Sequence, residues 1–102
     1  MNAMTGWTLP ALALLAGASV QAQEADVQAR AWAASCAACH GTQGKSLGGI
    51  VSIAGTDKAQ LLEKLLAYKK GSLPATVMHQ HAKGYTDAEL ERIAAFFSRQ
   101  PR

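Results

Sequence analysis

The chain has only two cysteines in 102 residues, three prolines, and two each of Trp, Tyr and Phe. Two cysteines are too few for the disulfide framework on which small secreted domains rely. Charged residues make up 17 % and apolar ones 49 %, which excludes a disordered chain or a nucleic-acid-binding tail. No run of 18 consecutive apolar residues occurs, so no lasting membrane span is expected. No stretch alternates well enough to predict a sheet, and repeats and low-complexity tracts are missing. No Ser-His-Asp set is legible either, so nothing points to hydrolysis.

What is present begins with an apolar run from Leu9 to Val20, followed by the small-x-small sequence Val20-Gln21-Ala22. Its length fits the apolar region of a secretory leader. Met1 to Thr8 supplies no Lys or Arg, so the free amino terminus is the only positive charge ahead of it. The competing readings are a first helix of the domain and an uncleaved anchor. Against the helix, Pro10 and Gly17 interrupt the run and no polar face exists. The division expected is a leader over 1–22 and a single domain over 23–102, exported to a bacterial periplasm. A domain of that size buries only roughly 60–65 % of its unfolded surface. It therefore needs a staple such as a disulfide, a metal or a bound cofactor.

All Lys, Arg, Asp and Glu residues lie after residue 22, so the exported chain keeps a formal charge of +3. That charge is mild and demands no polyanionic partner. Lys45, Lys58, Lys64, Lys69, Lys70 and Lys83 form either a solvated surface or a docking patch for an acidic protein.

Three helices are expected. The first, about Ala25 to Ser35, is rich in alanine, with Val27, Ala31 and Ala34 on one stripe and Trp32 beside it. The second starts at Thr56 or Asp57, carries Leu61, Leu62, Leu65, Leu66 and Tyr68, and stops at Lys69-Lys70-Gly71. The third opens on the capping box Thr86-Asp87-Ala88-Glu89 and places Leu90, Ile93, Ala94 and Phe97 on one stripe. Residues 41–55 hold five of the nine glycines and suit a wrapping loop. Trp32, Phe96 and Phe97 are read as packing or pocket residues, and Tyr85 as a loop anchor or a group near the pocket edge.

Cys36-Ala37-Ala38-Cys39-His40 carries the chemistry. C-x-x-C-H is the attachment sequence of c-type haem. Two thiols at this spacing can add across both vinyl groups of one porphyrin, and the adjacent His is then placed to ligate the iron. A redox C-x-x-C needs a strand–helix context that is not visible. A zinc site needs two more ligands, for which only His79 and His81 offer themselves. A disulfide across two residues closes too short a loop to stabilise much. A covalently tied haem c also supplies the apolar core that so short a domain lacks, so the apoprotein is expected to be largely unfolded. Met78 is the one methionine after the leader and the expected sixth ligand, in a loop after Pro74-Ala75-Thr76-Val77. A thioether raises the potential relative to a second imidazole. If Met78 is instead a core side chain, the iron is open or ligated by His79 or His81.

With these residues in this order, the chain resembles the class I cytochromes c: an all-α fold of about three helices wrapped around one covalently attached haem. Tyr68-Lys69-Lys70-Gly71, Ala75-Thr76-Val77-Met78 and Ala82-Lys83-Gly84-Tyr85-Thr86-Asp87 are similar to the small cytochrome subunit of flavocytochrome c sulfide dehydrogenase. The resemblance implies a haem subunit that accepts electrons from a sulfide-oxidising flavoprotein. Two other functions stand beside it: a free periplasmic carrier serving a terminal oxidase or peroxidase, and a haem protein with an open iron. Met78 argues against the open iron. One departure is plain, since the loop after the haem His usually holds a proline whose carbonyl orients the imidazole. Gly48-Gly49-Ile50-Val51-Ser52-Ile53 has none. Another backbone carbonyl is expected to take that role.

Overall fold

The computed structural model describes Gly6 and residues 13–102, with side chains from Val27 onward. The expected leader, 1–22, lies outside the described side chains, and residues 1–5 and 7–12 lie outside the described residues altogether. Among the described residues four α-helices follow one another: α1 (Ala13–His40), α2 (Lys58–Lys70), α3 (Met78–Lys83) and α4 (Asp87–Ser98), with a 3-10 turn at Thr42–Gly44. No strand occurs among the described residues. The all-α class holds, with one helix more than the three expected.

The extra helix is α3, which starts at Met78 where a loop was expected. Six residues with four polar side chains among them give too little apolar period to register. Val77 at its N-cap contributes no side-chain hydrogen bond, so the start lacked a signal as well. Only its end was marked: Lys83 precedes Gly84, whose N–H bonds the carbonyls of His81 and Ala82.

Helix α1 also corrects the sequence reading. It runs through the whole C-x-x-C-H segment instead of ending near Ser35. Its inward face is Ala29, Ala33, Cys36 and His40, while Val27 is exposed, as are Ala31 and Ala34. Alanine lies on every side of this helix, so composition alone could not choose the buried stripe. Packing chose it, because that face is buried against the core cluster that α4 supplies.

Helices α2 and α4 formed as their signals predict. Asp57 caps α2 by accepting from the Gln60 N–H at 3.0 Å, and Gly71 ends it in the left-handed conformation. On α4, the Glu89 N–H donates to Thr86 Oγ1 and the Thr86 N–H donates to Glu89 Oε1. Hydrogen bonds from Thr86 to the Glu89 carboxyl, the backbone one foremost and the side-chain one second, hold it below the usual carboxylate range. This capping contribution is present above the ordinary carboxylate pKa and lost as pH falls through the lowered one.

The core lies where α4 meets α1 and α2. Leu90, Ile93, Ala94 and Phe97 are all but sealed from solvent, with Phe96 edge-on to Phe97 at 5.2 Å. Burying each of the large ones contributes roughly 1.5–3 kcal/mol. Two ion pairs tie α2 to α4 on the outside, Lys58–Glu91 at 3.2 Å and Lys69–Asp87 at 2.7 Å. The cationic group of Arg92 lies 4.6 Å from the centre of the Trp32 ring, joining α4 to α1.

Candidate functional site

Helix α1 delivers Cys36, Cys39 and His40 to the wall of a cavity of about 520 Å³. Leu61, Leu65 and Tyr68 face it from α2, at successive helical turns. Ile93 and Phe97 close the floor from α4, and Met78 with His81 comes from α3. The remaining wall is the loop from Gly49 to Ile53. A volume in the range that holds cofactors, apolar except for a few placed polar groups, is what a ligand site requires.

The loop is shaped by glycine. Gly44 has φ +81, and its carbonyl accepts from both the Ile53 and Ala54 N–H groups, at 2.8 and 3.1 Å. A Cβ there would come within 2.7 Å of the Phe97 ring and 2.9 Å of Ile53. Gly55 continues the closure, its N–H donating to the Phe97 carbonyl at 2.9 Å. Residues 45–52 are thereby folded back across the end of α1.

That return brings the Val51 carbonyl 2.7 Å from His40 Nδ1. His40 is buried, and with Nδ1 donating to Val51 its Nε2 is the nitrogen left for a metal. The orienting carbonyl that sequence could not name is therefore Val51. Its position follows from the backbone, so the absence of proline does not matter to it.

The two cysteines are not joined in a disulfide; Cys36 is half-buried and Cys39 exposed. Burial pushes the Cys36 thiol up, against smaller opposing hydrogen bonds from the Ser35 side chain and its own backbone. A redox C-x-x-C requires a lowered thiol pKa, so this environment argues against that chemistry. Among the described residues no group of three or more His, Cys, Asp or Glu side chains could hold a metal ion, which removes the zinc reading. The residues fit a haem: two thiols, one oriented imidazole and one thioether around an apolar cavity.

Sequence reasoning missed several wall residues. Lys64 lines the cavity, whereas Lys45 and Lys83 do not. Ser35, Thr56 and Thr76 also reach it. Lys64 could have been found, since it lies one turn from Leu61 and Tyr68 on the same helical face. His81 lines the wall and His79 does not.

Tyr85 is an anchor and does not line the cavity. Its hydroxyl lies 2.8 Å from Ser35 Oγ and donates to the Trp32 carbonyl at 3.3 Å. The chain just after α3 is thereby tied to α1 one residue before Cys36. Tyr85→Phe removes the hydroxyl and keeps the ring, and is expected to destabilise the holoprotein by about 1 kcal/mol. Urea unfolding measures it, and an unchanged midpoint would refute the tie.

Residues 23–97 match the sequence family described as cytochrome c oxidase, cbb3-type, subunit III. The chain belongs to this family of cytochrome c domains. Membership together with C-x-x-C-H implies covalently held haem c. Three relatives are similar. The cytochrome subunit of sulfide dehydrogenase from Chlorobaculum tepidum is 48 % identical over 63 residues, covering 62 % of this chain and 57 % of that one. Cytochrome c-552 of Acidithiobacillus ferridurans is 32 % identical over 63 residues, 62 % of this chain and 27 % of its own length. Cytochrome c-554(548) of Halomonas halodenitrificans is 35 % identical over 69 residues, 64 % of this chain and 83 % of its own. The chain thus spans little more than half of the first relative and about a quarter of the second. No helix among the described residues is long and apolar enough to cross a membrane.

Proposed function

We propose that this cytochrome is a periplasmic monohaem electron carrier and the cytochrome subunit of a sulfide-oxidising flavoprotein complex. In this reading Cys36 and Cys39 hold the haem through thioether bonds, and His40 and Met78 are the axial ligands. Bound haem supplies a one-electron couple between ferric and ferrous iron. The chain supplies the rest: Val51 fixes the His40 ring, Met78 contributes a soft thioether, and the apolar wall excludes water. With His40 and Met78 both holding the iron, no position would be left for a substrate, and the chain by itself would carry electrons without being an enzyme. The apolar run at residues 9–20 supports export.

The 48 % identity to the Chlorobaculum sulfide dehydrogenase subunit is the observation that carries the partner. The cavity rim agrees with it. Ile50, Val51 and Val77 line the cavity and are exposed, and Leu47, three residues before Ile50 in the chain, is fully so. Such an apolar rim suits a lasting interface better than a brief encounter. The haem propionates remove about two charges from the formal +3, leaving little net charge to steer association.

Stopped-flow reduction of the holoprotein by the purified flavoprotein, across a salt series, tests the reading. A rate that varies little with ionic strength is expected of an apolar, permanent interface. A steep decline with salt, together with a loss of rate in Lys83→Glu, would instead establish a diffusible carrier steered by lysines.

A further inference from the structure

We propose that His81 is a reserve axial ligand, placed to take the sixth position on the iron when the Met78 thioether is lost. The inference rests on Met78 being the ligand in the intact protein. Helix α3 turns about 100° per residue, so Met78, His81 and Ala82 share one face. Ala82 is 1 % exposed, which fixes that face inward. Met78 and His81 accordingly line the same cavity, the one that also receives His40.

His79 is the contrasting case. It is turned about 100° from Met78 and lies outside the cavity wall. Its Nδ1 is buried without a hydrogen-bond partner, shut off from the site. The two histidines, equivalent as sequence, are therefore separated by the fold. His81 lines the cavity and is exposed, so it borders solvent as well as the site. Its Cβ lies about 5–6 Å from that of Met78, one turn along the helix. Shortening residue 78 vacates volume next to a side chain that carries a nitrogen donor. A protein with such a reserve keeps its iron six-coordinate, at a lower potential, when the thioether is gone.

Optical and electron-paramagnetic spectra of holoprotein variants test this. The wild type is expected to show the thioether-to-ferric band. Met78→Ala should lose the band but stay low-spin. M78A/H81A and M78A/H81Q should both turn high-spin and bind added imidazole at least tenfold more tightly than M78A does. M78A/H79A should match M78A. A high-spin M78A beside a wild type that shows the band would overturn the reserve role alone. A low-spin M78A/H81A would overturn it too, by revealing another ligand. A wild type without the band would overturn Met78 as ligand, and the reserve role with it.

Discussion

Replacing Cys36 and Cys39 together with alanine is expected to abolish covalent haem attachment, and either single change to cut it several-fold. Each thiol forms one thioether in the proposed attachment, so a single variant keeps one bond and the double variant none. The two positions are unequal. Cys36 is half-buried in the cavity wall, while Cys39 is exposed one turn further along α1. Haem staining after denaturing electrophoresis reads the outcome directly, and unchanged staining of both single variants would sink the assignment. The consequence for folding is equally large. Without haem the cavity of about 520 Å³ stays between α1, α2 and α4 as unfilled apolar surface. A domain of this size has little other core to compensate. The double variant should therefore lose most of its helical circular dichroism, and a fully helical apoprotein would show that α4 and its partners suffice alone.

The helices that could be read from sequence are those with strong ends. Asp57 with Gly71, and Thr86 with Glu89, mark their boundaries through local hydrogen bonds that operate before any packing. Helix α1 was legible as a helix and not as a direction, because alanine lies on every side. Its inward face of Ala29, Ala33, Cys36 and His40 is set by α4 and the cavity. Helix α3 was not legible at all, since six residues without a side-chain cap give neither period nor start signal.

The site divides along the same line. Cys36, Cys39 and His40 were candidates from the C-x-x-C-H spacing and Met78 as the one methionine after the expected leader, and the fold brings all four to one cavity. The Val51 carbonyl could not, because every residue has one and only the loop closed at Gly44 selects it. The choice between His79 and His81 likewise depends on which face of α3 is buried, which Ala82 decides. Tyr85 stood open between anchor and pocket residue until its hydroxyl was found on Ser35 and Trp32.

Met78→His is expected to keep a low-spin, six-coordinate haem while lowering its potential. The thioether is a soft donor that favours ferrous iron, and an imidazole favours the ferric state more. Axial ligands set haem potentials across roughly 0.8 V, so the fall should be a tenth of that range or more. Nothing else in the site need change. His40 keeps its bond to Val51, the cavity keeps its apolar wall, and α3 keeps Ala82 buried, since residue 78 sits at the first position of that helix. The change is thus confined to one donor atom. Redox titration measures the potential, and the thioether-to-ferric band should vanish in the same sample. A variant that loses the band with no fall in potential would show that burial, rather than the ligand, holds the potential up. A variant with the wild-type potential and an intact band would remove Met78 from the iron altogether.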